Sequence, residues 1–286
     1  MKLTKDQFEI LRALAEGESR TAPATGAAET LTASGLLSDG QITEAGLAAL
    51  EPYRVKRMII IAAGYGSRLR PITINTPKPL VRVHGQRIID SLLDAAVAAG
   101  IEEILLVRGY LGEQFDQLTS KYPQLRFVEN PAYTEANNIS SVDCVRELLP
   151  GAYVAEADLL YWQPRLVTKY QYESNYLGAA TEHTDDWCFH TDEDGYIREI
   201  GIGGDHCYHM FGLSYWSEAD GARLADDIHA AFADPAGKKL YWDEVAMKLH
   251  AGEYRVAVRP CTFDDIIEID TFAELKALDA AYAEET

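Results

Sequence analysis

Cysteine is scarce in this chain: four in 286 residues, none in a C-x-x-C pair, so the sequence suggests neither a disulfide framework nor a zinc site. Cys144, Cys188, Cys207 and Cys261 read as ordinary reduced thiols. Long apolar runs are missing too. None approaches the roughly 20 residues that span a bilayer, and Met1 to Asp6 lacks the apolar stretch of a signal peptide. A soluble cytoplasmic protein without a membrane partner is expected. Cations are also in short supply: 26 Lys and Arg stand against 45 Asp and Glu, a formal net charge of −19. That balance disfavours nucleic acid and anionic lipid, because both attractions need clustered positive charge. The seven histidines, with His183, His190, His206 and His209 grouped, have no metal-ligand spacing and read as solvent-facing or packing residues.

What is plentiful is apolar residues, 47% of the chain, enough for a substantial core. The pattern changes near Tyr53 to Lys56, which divides the chain into residues 1–54 and 55–286. In the first part, Phe8, Leu11, Leu14 and Ala15 share a helix face behind an N-cap at Thr4, with Gly17 ending the helix. A second short helix is expected over Ala27 to Ser34, then a tight turn through Gly35 to Thr43, and a helix from Glu44 to Leu50 capped by Thr43. That order resembles a small winged helix-turn-helix. Its five cations and eight acids give 5 − 8 = −3, and the stretch from Ser19 to Glu29 carries only Arg20, so DNA reading is disfavoured and a packing or homodimerisation appendage is preferred.

From residue 57 strands and helices alternate as in a parallel sheet with crossovers, a Rossmann-like α/β domain. Expected strands are Arg57 to Ile61, Glu103 to Arg108, Arg126 to Glu129 and Tyr153 to Ala157; expected helices are Arg87 to Ala99, Gly112 to Tyr122 and Ser140 to Leu149. The first of these helices should bury Ile88, Ile89, Leu92, Leu93, Ala96 and Val97. After residue 175 shorter strands and polar turns such as Asp192-Glu193-Asp194-Gly195 suggest a small antiparallel extension.

Directly after the first apolar strand comes Ala62-Ala63-Gly64-Tyr65-Gly66-Ser67-Arg68-Leu69-Arg70-Pro71, then Thr76-Pro77-Lys78-Pro79-Leu80. A glycine-rich turn leaving a strand presents N–H groups unobstructed by Cβ atoms and suits phosphate. It is neither a G-x-x-x-x-G-K-[ST] loop nor G-x-G-x-x-G. An acidic protein that binds a triphosphate needs local cations, here Arg68 and Lys78, and a divalent metal, with Mg2+ the natural choice. Asp158 stands at the carboxyl end of an apolar strand, where open α/β sheets bind ligands and where a carboxylate can hold such a cation. Glu156 points to the same face if the strand continues; Asp270 follows an acidic-apolar alternation and on local grounds could simply cap the last helix.

The pattern A-A-G-x-G-S-R-L-x-P followed by T-P-K-x-L resembles the signature of sugar-phosphate and choline-phosphate nucleotidyltransferases. Gly109 to Phe115, Asn137-Asn138, Glu156-Ala157-Asp158, Tyr241-Trp242-Asp243 and Glu268-Ile269-Asp270, in this order, narrow the likeness to bacterial choline-phosphate cytidylyltransferases over about residues 57 to 280. The resemblance implies CTP on the loop Ala62, Ala63, Gly64, Tyr65 and Gly66, with Asn137 and Asn138 near base and ribose. It puts Arg68 and Lys78 on the phosphates, Mg2+ between Asp158 and Asp270, and phosphocholine as acceptor. The acceptor ammonium would meet aromatic faces and carboxylates, with Trp187, Tyr215, Tyr241, Asp185, Asp186 and Asp243 as candidates. Asn137 and Asn138 also fit an Asx-turn at the start of the next helix, and the aromatics fit a core. Three alternatives stand beside this reading: 2-aminoethylphosphonate cytidylyltransfer, sugar-1-phosphate nucleotidyltransfer, and a DNA-binding regulator with a nucleotide-sensing domain.

Overall fold

The computed structural model describes residues 2–18 and 25–283. Contacts divide the chain into two compact units. One comprises Met1–Val55 with Thr168–Tyr172, the other Lys56–Val167 with Glu173–Thr286.

In the smaller unit, α1 (Lys5–Ala15) begins where Thr4 accepts from the Gln7 amide while the Gln7 side chain returns to the Thr4 amide. Helix α2 (Thr25–Ala33) leads into the hairpin of β1 (Leu37–Ser38) and β2 (Gln41–Ile42). Thr43 then caps α3 (Glu44–Leu50), accepting from the Gly46 amide. Residues 19–24, Arg20 among them, lie outside the described residues. Leu3, Phe8, Leu11, Leu31, Leu37 and Leu50 form the core together with Tyr170, a residue more than a hundred positions away. The Val55 amide donates to the Lys169 carbonyl at 2.9 Å, and the Tyr172 hydroxyl to the Leu3 carbonyl at 3.1 Å.

The larger unit is built on one seven-stranded sheet. Its strands are β3 (Arg57–Ala62), β4 (Glu103–Arg108), β5 (Leu125–Glu129), β6 (Ala152–Glu156), β8 (Asn175–Thr191), β9 (Ile197–Trp216) and β10 (Ala257–Cys261); the short β7 (Leu159–Tyr161) pairs instead with β11 (Ile266–Glu268). The order β10-β8-β9-β6-β3-β4-β5 is parallel at every pairing except the two that involve β9. Arg57–Ala62 is an unbroken apolar run after its first residue because β3 lies at the inside of the sheet, covered on both faces.

Three expectations need correction. The strands after residue 175 lengthen rather than shorten: β8 has 17 residues and β9 has 20. Bulges such as that between Thr184 and Trp187 absorb the irregular stretches without ending the strands, so the turn at 192–195 marks one hairpin tip and not a series of short strands. In that arm Cys188 and Phe189 pair on both sides, with Gly201 and Ile200 and again with His209 and Tyr208. The crossover helices are also less regular. Residues 112–120 wind as a 3₁₀ helix, and the next segment breaks after α5 (Ile139–Asp143) into a second 3₁₀ turn at Arg146–Leu148. Finally, α4 (Ile88–Ala98) buries the expected face except Val97, which is exposed in its last turn. Among the described residues no helix is long and apolar enough to cross a membrane.

Candidate active site

The loop after β3 turns sharply because Gly66 is left-handed, at φ +58°. A side chain there would be strained, and its Cβ would lie 2.8 Å from Lys78 Cβ. Gly66 thus lets the Lys78 backbone approach the loop, and Thr73 holds the turn by donating to the Gly66 carbonyl at 2.7 Å. Gly64 differs. Its φ is not left-handed, and a Cβ at 64 would meet nothing within 4 Å, so no neighbour in the chain demands glycine there. It faces a cavity of about 790 Å³.

Lys78 is buried, and its Nζ donates to Asp158 Oδ2 at 2.8 Å and Asp270 Oδ1 at 2.9 Å; the mostly exposed Arg68 donates to the same Asp270 oxygen at 2.8 Å. Burial alone would lower the Lys78 pKa, but the charges of Asp158 and Asp270 outweigh it and the pKa rises. One lysine therefore bridges two carboxylates contributed from far-apart strand ends. The last α-helix among the described residues is Phe272–Leu278, and Thr271 caps it by accepting from the Glu274 amide. Asp270 is accordingly free of the capping role that local sequence offered it.

Around this bridge lie Glu156 and Glu268. Carboxylate oxygens of Glu156, Asp158 and Glu268 fall within 4.8 Å of one another, as do those of Asp186, Glu268 and Asp270. Burial, then the neighbouring Asp158, pushes both Glu156 and Glu268 well above the usual carboxylate range. Asp158 Oδ1 is buried and accepts no hydrogen bond. Stacked carboxylates with an orphaned inward oxygen form a donor set that fits a hard divalent cation. Glu268 is named in the sequence only as part of the Glu268-Ile269-Asp270 motif, with no metal role of its own.

On the other side of the cavity the buried Asp243 accepts from the Tyr176 hydroxyl at 3.3 Å, while its Oδ1 has no partner. Burial, followed by the charge of Glu244, raises its pKa to about 6. Trp187 and Tyr241 stand edge to face with centroids 5.6 Å apart, and Lys248 Nζ lies 4.5 Å from the Trp187 ring centroid while bonding Glu244 at 2.7 Å.

Of the residues singled out from sequence, Ala62, Ala63, Gly64, Tyr65, Gly66, Arg68, Lys78, Asn137, Asn138, Asp158, Asp186, Trp187, Tyr241, Asp243 and Asp270 line this one cavity. Tyr215 does not. It is buried on β9 against Tyr153, edge to face at 5.7 Å, because its register opposite β6 turns it into the sheet's packing. Asp185 is exposed and paired with His183. Neither asparagine side chain caps α5: Asn138 donates to Glu156 Oε1 at 3.3 Å and accepts from the Trp242 amide at 2.9 Å, while Asn137 donates to the Lys239 carbonyl. Asn138 thereby ties the carboxylate side to the Tyr241–Asp243 turn. Tyr133, whose ring lies 5.7 Å from that of Tyr65, is a wall residue that no local motif marked.

The sequence profile of the nucleotidyl transferase family matches residues 57–181. A 2-aminoethylphosphonate cytidylyltransferase of Lancefieldella rimae is 40% identical over 227 residues, 78% of this chain and 92% of the relative. A choline-phosphate cytidylyltransferase of Streptococcus pneumoniae is 33% identical, covering 78% and 96%. The solved structure of a CTP:phosphocholine cytidylyltransferase from Streptococcus pneumoniae superposes with a TM-score of 0.74 at 32% identity, over 80% of this chain and 99% of that one.

Proposed function

The chain belongs to the nucleotidyltransferase family, and on that footing we propose that it is a cytidylyltransferase joining CMP from CTP to a small aminoalkyl phosphonate or phosphate. The observation that carries this reading is the Lys78 bridge between Asp158 and Asp270, beside the Gly64–Gly66 loop in one cavity. The loop receives the triphosphate, and Arg68 and Lys78 turn to its phosphates. An acceptor oxygen attacks the α-phosphorus, the bond to the β-phosphate oxygen breaks, and pyrophosphate leaves in line. No protein nucleophile is required, since the acceptor oxygen already carries negative charge. Asp158 and Asp270, with Glu156 and Glu268 behind them, would hold Mg2+, which when bound offsets charge on the phosphates. Lys78 adds a fixed positive charge where the transition state gathers negative charge.

For the acceptor we favour 2-aminoethylphosphonate. A primary ammonium donates hydrogen bonds, and Asp243 offers a buried unpaired oxygen, with Asp186 also on the wall. A quaternary ammonium needs open aromatic faces; Trp187 already has an ammonium over its ring, that of Lys248. Phosphocholine remains the second reading, supported by the Trp187–Tyr241 pair. The smaller unit, with helices before and after a two-stranded hairpin, fits a winged-helix-like appendage, and its local charge of 5 − 8 = −3 argues against a DNA-reading role.

Pyrophosphate release with CTP and Mg2+ tests the reading, comparing 2-aminoethylphosphonate, phosphocholine and no acceptor. Preference for 2-aminoethylphosphonate supports it, preference for phosphocholine reverses the acceptor assignment alone, and no turnover with either overturns it. Gly64→Ala is expected to leave the melting temperature unchanged while raising the KM for CTP roughly 10- to 100-fold, since the added methyl fills ligand space only. Steady-state kinetics beside a thermal melt checks this; a lowered melting temperature would assign Gly64 a folding role instead.

A pH dependence follows from Asp243. Its folded pKa of about 6 lies above the ordinary value near 3.9. The protonated form is thus favoured by the fold: its stability contribution is full below the ordinary pKa and is lost as pH rises through about 6. The charge that attracts an ammonium exists only above that point. The acceptor KM is expected to fall about tenfold between roughly pH 5 and 7 from this group, and Asp243→Asn should flatten that part of the profile. An unchanged profile in the variant would remove Asp243 from acceptor recognition.

A further inference from the structure

We infer that Thr184 and His209, neither of which lines the cavity, are positioning residues for the acceptor: they hold the bulge in β8 that turns Asp186 and Trp187 to the same side. The inference rests on the reading of that wall as the place of the acceptor ammonium. In a regular strand consecutive side chains point to opposite faces, yet Asp186 and Trp187 are consecutive and both line the cavity. The register explains this. Thr184 pairs with Gly204 and Trp187 with Ile202, so β8 advances three residues while β9 advances two. One residue is extra, and an extra residue re-aims the side chains around it. Asp185 takes the outward position, exposed and paired with His183.

Side chains hold two amides of this bulge. The Asp186 amide donates to Thr184 Oγ1 at 3.2 Å, and the Trp187 amide to Asp186 Oδ1 at 2.7 Å. Thr184 is anchored in turn, because its hydroxyl is hydrogen-bonded to His209 Nδ1 at 3.0 Å. The His209 ring sits edge to face with Phe211, centroids 4.8 Å apart, and tilted against Phe263 at 5.3 Å. Burial lowers the His209 pKa despite the charge of Asp186, so near neutral pH the ring makes its bond to Thr184 uncharged. Contacts thus run from two phenyl rings through His209 and Thr184 to a carboxylate and an indole on the cavity wall. A carboxylate beside an aromatic face suits an ammonium, which the first attracts and the second shields. Without the Thr184 hydroxyl the Asp186 amide is freed and the two wall residues lose their common orientation, which should weaken acceptor binding and leave the nucleotide loop as it is.

Thr184→Val keeps the shape of threonine and removes the hydroxyl. In the full-length protein it is expected to raise the acceptor KM roughly 3- to 10-fold, about the worth of one hydrogen bond, with the KM for CTP and the Mg2+ requirement unchanged. The acceptor is whichever of 2-aminoethylphosphonate and phosphocholine the wild type turns over. Thr184→Ser should restore wild-type kinetics. His209→Phe, which keeps the ring packing, should raise the acceptor KM in the same way, and the double variant Thr184→Val/His209→Phe should be no worse than the more impaired single one, since both act through one chain of contacts. Equal rises in both KM values, a raised Mg2+ requirement in place of a raised acceptor KM, or a Thr184→Ser protein as impaired as Thr184→Val overturns the inference. Amide hydrogen exchange separates it from the acceptor assignment: the Asp186 amide should exchange faster in Thr184→Val than in the wild type whatever the acceptor. Turnover with neither acceptor would sink the assignment alone, whereas unchanged exchange at Asp186 would sink the inference.

Discussion

Lys78→Ala is expected to lower kcat/KM for cytidylyl transfer roughly 10³-fold, because it removes a preorganised positive charge from the place where phosphoryl charge accumulates. The same change has a second signature. In the folded chain Lys78 neutralises Asp158 and Asp270 at 2.8 and 2.9 Å, with Glu156 and Glu268 close behind. Without it the carboxylates repel one another, and the metal-free variant should lose about 2 kcal/mol of stability, a figure kept low because both aspartates retain some solvent. Mg2+ should then stabilise Lys78→Ala more than the wild type, where it competes with an internal cation. Thermal melts with and without Mg2+, beside pyrophosphate assays, check both arms. Equal Mg2+ stabilisation of the two proteins would mean that lysine and metal occupy different ground.

Asp158→Asn should be the next most damaging change, about 10²- to 10³-fold in kcat. Asparagine preserves shape, so Lys78 can still donate to the side-chain oxygen and the fold should hold. What disappears is the charge, together with the buried Oδ1 left unpaired in the native chain. The apparent Mg2+ requirement should rise in the variant, whereas the KM for CTP should change little at saturating Mg2+. A variant with native Mg2+ dependence would transfer the metal role to the Asp186, Glu268 and Asp270 group.

The glycine loop, Lys78 and Asp158 stand out in the sequence because each sits in a short segment whose local geometry is set by its neighbours, whereas Asp270 reads locally as a helix cap and is singled out only by the family resemblance. A strand, a glycine turn and a carboxylate at a strand end need no knowledge of distant partners. Tyr215 was misassigned for the opposite reason. Which face of a strand a side chain occupies depends on bulges, and β8 and β9 contain several. Tyr133 enters the cavity through long-range placement alone, and Glu268, although named in the motif with Asp270, joins the carboxylate group only because β11 pairs with β7. Asn138 carried a cap-like local pattern, yet its side chain found better partners in Glu156 and Trp242, which only the folded sheet supplies.

The Thr168–Tyr172 segment gives the smaller unit an odd timetable. Its residues up to Val55 leave the ribosome well before residues 168–172, yet Tyr170 is part of their core and the Val55 amide donates to the Lys169 carbonyl. At about 5–20 residues per second, the 172 − 55 = 117 residues in between take roughly 6–23 s to appear. Through that interval the smaller unit lacks the segment that completes its core, so it is finished only after four of the seven strands of the central sheet have been synthesised, and before the long β8–β9 arm.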